Sequence, residues 1–178
     1  SILSAYETWG LDFITKLEGD FAIALFDQNR EELILIRDRL GKKPLYWFHD
    51  NNHFLYASEL KALLTTDIIP RTPSPDALAA SLFFGYFPQD LTPVENVNKL
   101  LPGHFLRLRL NRTKTIQQYW YYSKLFEEGY SPRTSHDVQR LEELLLSAVQ
   151  RRMPTEQPVG CFVSGGVGSA ATAYFVQR

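Results

Sequence analysis

Apolar residues at Ile2, Ala5, Tyr6, Trp9, Phe13 and Leu17 recur at spacings of three and four. That period predicts one amphipathic helix across residues 2–17. Past Gly19 the pattern changes. FAIALFD (21–27) is a short apolar run that reads as a buried strand, and the polar QNREE after it as a turn. LILIR (33–37) is a second strand, LYWFH (45–49) a third and FLYAS (54–58) a fourth. Gly41 with Pro44, and then the DNN stretch, supply the intervening turns. Tight polar turns between short strands predict one antiparallel sheet.

A different pattern follows Ser58. ELKALL predicts a short helix, and PRTPSPD a connection that places Pro75 near the start of a helix ending at Phe84. Phe105, Leu106, Leu108 and Leu110 predict a strand, and TIQQYWYY (115–122) another. FEEGYSPRTS reads as a linker. Ser135 then caps a long helix whose stripe is Val138, Leu141, Leu144, Leu145, Ala148 and Val149; Pro154 and Pro158 end it. The last unit reads as strand, glycine turn and helix. Antiparallel strands first and an α/β unit last make the class α+β, with two domains. The expected boundaries are residues 1–121, a linker over 122–136, and 137–178. The second domain is expected to be partial, because one strand and one helix cannot bury both faces of a parallel sheet. The apolar residues of AYFVQR are expected to lack a packing partner.

Composition narrows the function classes. The chain has 178 residues, 44% of them hydrophobic, which is enough for a buried core. Lys and Arg total 19 against 20 Asp and Glu, so no basic excess points to nucleic acid or to an anionic membrane. No apolar stretch reaches spanning length. The lone Cys161 excludes an internal disulfide framework and a cysteine-rich metal site, and suits a reducing, cytoplasmic setting.

The chemistry concentrates near the end, in VGCFVSGGVGSAATAYFVQR. A glycine turn opening a helix can aim several backbone N–H groups at one anion, with the helix dipole assisting. Val163, Ser164, Gly165, Gly166, Val167, Gly168 and Ser169 form the candidate loop for ATP or pyrophosphate. Without a Gly-Lys-Ser/Thr ending it is not a Walker loop. An ordinary strand-to-helix turn would have the same composition, and both readings stay open on spacing alone.

SGGVGS resembles the Ser-Gly-Gly-x-Asp-Ser pyrophosphate loop of the ATP pyrophosphatase group. RRMPTEQPVGCFVSGG resembles the entry to the synthetase domain of glutamine-hydrolysing asparagine synthetases. LEGDFAIALFD, RDRLGKKPLY and ASELKALL resemble the second half of that family's glutaminase domain, and FFGYFP and KLLPGHFLRL the segment joining the two. These stretches keep the family's order over nearly the whole chain. The resemblance implies a partial N-terminal-nucleophile (αββα) glutaminase domain, then the first strand, loop and helix of an α/β ATP pyrophosphatase domain. It implies glutamine hydrolysis, passage of ammonia through a tunnel, and ATP- and Mg2+-dependent activation of aspartate through β-aspartyl-AMP. Aspartate, glutamine and ATP are the implied small-molecule partners, and a homodimer is one expectation. Two alternatives accompany this reading: a β-lactam or peptide-cyclising relative, and a decayed non-catalytic amidotransferase-like binding module.

The sequence departs from the family pattern in three places. The family nucleophile is an N-terminal cysteine, whereas this chain starts with Ser1 on a stretch resembling a helix downstream of that nucleophile. The family's Asn-Gly-Glu glutamine motif is absent, and the Gly19-Asp20 pair matches a strand entry. Gly168 stands where the family has an aspartate that helps hold magnesium, so Mg2+ is doubtful here. No catalytic residue and no metal ligand is therefore assigned, and the isolated chain is expected to be inactive. The other polar residues read as structural. Arg37, Asp38 and Arg39 suggest an Asp–Arg pair bracing the Gly41 turn. Glu59 suits a helix start, and His49, His53, His104 and His136 suit turns or caps. The aromatics 119–122 fill a core or stack a base, and Cys161 is a small buried hydrophobe.

Overall fold

A computed structural model describes residues 1–109, 113–123, 134–154 and 156–178. The chain divides into two compact units, Ser1–Leu125 and Phe126–Arg178. Leu110 and most of the FEEGYSPRTS stretch lie outside the described residues.

The first unit opens with α1 (Ile2–Trp9), a 3-10 turn (Gly10–Asp12) and a short α2 (Phe13–Lys16). The single helix expected over 2–17 is therefore broken. Gly10 ends α1 at φ 56°, a left-handed conformation that glycine adopts without Cβ strain. Re-aiming the chain there lets Phe13 and Ile14, both fully buried, enter the core.

Among the described residues seven strands follow: β1 (Ala22–Asp27), β2 (Glu32–Arg37), β3 (Tyr46–His49), β4 (Phe54–Ala57), β5 (Val97–Lys99), β6 (His104–Arg109) and β7 (Lys114–Gln118). Between β4 and β5 lie α3 (Leu60–Leu64) and α4 (Pro75–Phe84). Ser74 caps α4 through its hydroxyl, and Pro75 sits in the first turn, where a missing N–H costs nothing. The strands make two sheets and not one. The first has the order β1-β2-β6-β7 and the second β4-β3-β5, every pairing antiparallel. The expected union of the first four strands fails because β2 takes β6 as its second partner, far along the chain. Strand β5 was not anticipated: VNK is too short and too polar to show an alternating pattern.

The two faces of the first sheet enter different cores. Leu25, Ile34, Ile36 and Phe105 pack with Phe13 and Ile14 beneath the N-terminal helices. On the opposite face Leu35 and Leu106 pack with Leu45, Trp47 and Leu100 against the second sheet. That sheet's outer face sends Phe48 and Val97 onto Leu63 of α3 and onto Ile69. The unit is therefore layered as helix, sheet, sheet, helix. The strict two-residue alternation of a strand is what divides neighbours such as Leu35 and Ile36 between layers.

The second unit contains α5 (Ser135–Gln150) and α6 (Val167–Val176), which pack on each other. The cap of α5 is Thr134, not Ser135. Its hydroxyl accepts from Asp137 N–H while the Asp137 carboxylate accepts from Thr134 N–H, a reciprocal capping box that needs the first residue one position earlier. On the apolar stripe, Val138, Leu141, Leu144 and Leu145 are exposed. No strand forms over 159–163, because no described segment lies alongside to pair with it. The expectation that AYFVQR lacks a partner is corrected at Phe175, which is buried at 7% exposure on the helix packed along α5.

Candidate functional site

Residues 163–169 run from an extended segment into the first turn of α6, and all are exposed except the half-buried Ser169. Gly165 adopts φ 84°, the left-handed region that favours glycine. Gly166 is the N-cap, and its carbonyl accepts from Ala170 at 3.1 Å, the first bond of the helix. The N–H groups of Val167, Gly168 and Ser169 lie in the first turn and have no intrahelical acceptor. A Cβ added at Gly165 or Gly168 would meet nothing within 4 Å, so the space in front of this backbone is open.

Ser169 ties the loop together. Its hydroxyl accepts from Ser164 N–H at 3.2 Å, lies 3.2 Å from the Ser164 hydroxyl, and donates to the Gly166 carbonyl at 2.9 Å. This closure was not legible in the sequence, where two serines five apart carry no pattern of their own. It fixes the turn but takes Ser164 N–H out of the donor set. What remains is a short arc of backbone donors and the positive end of a ten-residue helix, which suits a polyphosphate oxygen.

The metal is a different matter. The loop offers no carboxylate, and among the described residues no group of three or more His, Cys, Asp or Glu side chains could hold a metal ion. A hard divalent cation needs oxygen ligands with negative charge. Residues 163–169 thus fit a phosphate chain and do not fit Mg2+.

The remaining candidates are structural. Ser1 caps α1: its Oγ accepts from Ser4 N–H at 3.3 Å and lies 2.9 Å from Ser4 Oγ, a helix-capping role. Cys161 is exposed, which corrects the expectation of a buried hydrophobe; among the described residues no strand pairs alongside to cover it. Arg37 and Asp38 do brace the Gly41 turn, but not by pairing with each other. Asp38, 1% exposed, accepts from the N–H groups of Leu40 at 3.1 Å, Lys42 at 2.9 Å and Lys43 at 2.9 Å. Arg37 donates to the carbonyls of Lys43, Gly41 and Leu100, and burial holds its pKa below the usual guanidinium range. An aspartate opening a glycine turn is the signal that could have foretold this cradle.

Glu59 is the N-cap of α3 without a capping bond and pairs with Lys61 at 3.0 Å. His49 stands edge-on to Phe54, His53 pairs with Asp50 at 3.2 Å, and His104 Nδ1 lies 2.7 Å from the Pro102 carbonyl. His136 is exposed in the first turn of α5. Tyr119 donates to the Arg37 carbonyl at 2.7 Å and packs on the first core, whereas Tyr121 and Tyr122 are exposed.

Comparison with known proteins agrees with this division. Residues 1–120 match the family described as glutamine amidotransferase domain, and residues 140–178 match asparagine synthase. The chain is 33% identical to amidase chry2 of Gibberella zeae over 99% of its own length and 26% of that protein's. It is 32% identical to asparagine synthetase [glutamine-hydrolyzing] 2 of Bacillus subtilis over 98% of its length, covering 24% of that protein. It is also 32% identical to putative asparagine synthetase [glutamine-hydrolyzing] 2 of Methanocaldococcus jannaschii over 95% of its length, covering 33% of that protein. The chain thus spans a quarter to a third of the relatives it matches. With the amidotransferase match covering most of its residues and the synthase match following in order, the chain belongs to the family that joins a glutamine amidotransferase domain to an asparagine synthase domain.

Proposed function

We propose that this chain is part of a glutamine-dependent asparagine synthetase, an ATP-dependent ligase that amidates aspartate with ammonia drawn from glutamine. The observation that carries this reading is the succession of the two family matches along one chain, with the glycine loop inside the second. The helix-sheet-sheet-helix layering supports reading residues 1–121 as the rear of an N-terminal-nucleophile glutaminase domain and its connecting segment. Residues 122–136 are then the linker, and 137–178 open the ATP pyrophosphatase-type domain.

In this reading Ser164 to Ser169 hold the pyrophosphate of ATP. Bound ATP would supply the activated phosphate that turns a carboxylate into an acyl donor. The N–H groups of the first turn of α6 would stabilise charge on the departing pyrophosphate. No step is assigned to Mg2+ at this loop, for want of a carboxylate. The cytoplasmic setting belongs to the same proposal.

The test is binding of pyrophosphate to the 178-residue chain, followed by phosphorus NMR and calorimetry. Wild type should bind in the millimolar range, and Gly166→Pro, which removes a donor and constrains the turn, should lose at least tenfold. Equal binding by wild type and variant would refute the loop assignment. Glutaminase turnover by this chain above a blank would refute the absence of a nucleophile.

A further inference from the structure

A guanidinium with no counter-ion among the described residues borders a cavity in the first unit. Arg39 donates through Nη2 to the Thr15 carbonyl at 2.9 Å. Its Nε is buried and has no hydrogen-bond acceptor. None of the ion pairs among the described residues includes it. The adjacent Asp38 carboxylate is directed to three backbone N–H groups and makes no ion pair with Arg39. Arginine stays protonated at any physiological pH, so the charge cannot be relieved by deprotonation. Leaving a desolvated donor of a cation unpaired costs free energy that nothing nearby offsets.

Arg39 lines a cavity of about 250 Å3 together with Gln118, Trp120 and Tyr121. Leu40, 62% exposed, and Tyr121, 40% exposed, also border it, so apolar surface stands uncovered beside the charge. We propose that this cavity is a binding site for a small organic carboxylate, whose head group pairs with Arg39 and whose apolar body lies against Trp120.

Three features select this ligand class. A planar guanidinium matches a carboxylate in geometry, and one cation neutralises one monoanion. Among the described residues, no Lys and no second Arg lines the cavity, as a phosphate dianion would favour. The aromatic and aliphatic wall rewards a ligand with an apolar body. The site shares no residue with the loop at 163–169, and its test is independent of the ligase reading.

Benzoate is the probe, with acetate and inorganic phosphate as comparisons, titrated into the full 178-residue chain. Calorimetry and Trp fluorescence should report benzoate binding with a Kd on the order of 1 mM. Acetate, lacking the apolar body, should bind more weakly, and phosphate more weakly still. Arg39→Gln should weaken benzoate at least tenfold, with far-UV dichroism unchanged. If that variant fails to fold, saturation-transfer NMR on wild type decides: transfer to benzoate from the Trp120 indole, lost in Trp120→Leu, supports the site. The proposal is overturned by undetectable benzoate binding at about ten times that Kd, by unchanged affinity in a folded Arg39→Gln, by phosphate binding as tightly as benzoate, or by transfer that survives Trp120→Leu.

Discussion

Replacing Asp38 by alanine should destabilise the first unit by about 3–5 kcal/mol. The carboxylate is 1% exposed and accepts three backbone N–H groups, at 3.1, 2.9 and 2.9 Å. A hydrogen bond to a charged acceptor contributes about 1.5–3 kcal/mol. Three independent bonds would sum higher, but they share one acceptor and water reaches part of the turn, so they do not add fully. The charge of Asp38 also favours the protonated form of the buried Arg37. Asp38→Asn separates hydrogen bonding from charge. An amide oxygen in the Oδ1 position keeps the bonds from Leu40 and Lys42, while its NH2 group opposes Lys43 N–H. That variant should lose about 2 kcal/mol. Urea unfolding followed by Trp fluorescence is the assay, since the three tryptophans, Trp9, Trp47 and Trp120, all lie in the first unit. A loss under about 1 kcal/mol in Asp38→Ala would show that water replaces the carboxylate without penalty. Equal losses in both variants would show that charge and not the N–H cradle holds the turn. Either result refutes the reasoning.

Gly103→Ala should lose about 3 kcal/mol or more in urea unfolding, since Gly103 has φ 67° and a Cβ there would collide with the Trp120 carbonyl. Arg107→Ala should lose about 3–5 kcal/mol by stranding Glu32, which is 1% exposed and held by Arg107 through two bonds of 2.9 Å, although Arg109 at 3.3 Å retains part of the pairing. Burial and then the Asp38 charge push the Tyr119 phenol up to about 12 from 10.0, so its share of stability is full below pH 10.0 and is lost as pH rises towards 12. A thermal melt series across that window should show a shallower fall in Tyr119→Phe than in wild type. Thr134→Ala should cost α5 about 1 kcal/mol by opening the capping box, read as reduced helicity by far-UV dichroism.

Much of the secondary structure was legible because its signals are local. The runs at 21–27 and 33–37 needed only apolar β-formers between polar turns. The helix from Pro75 needed only Ser74 and a proline in its first turn. The glycine loop and α6 behind it were likewise readable from SGGVGS. The breaks in legibility share a cause as well. Gly10 looked tolerable within a helical period, yet burial of Phe13 and Ile14 made a break there the better solution. Ser135 and Thr134 are equivalent as caps on composition, and only the reach of Asp137 chose between them.

The order of most elements, the mixed helix-and-sheet class and the family were legible in sequence, because period, turn chemistry and motif order reside in neighbouring residues. The pairing of strands was not. Residues 32–37 lie beside residues 104–109 only once two layers form, since an antiparallel ladder has no sequence signal for a partner so far away. The tertiary structure alone also decided that Asp38 receives three backbone donors while the Nε of Arg39 is left without an acceptor. Both carry the same local signature of a charged residue beside a glycine turn. What separates them is which groups packing brings within hydrogen-bond reach, a property of the folded core and not of the residues themselves.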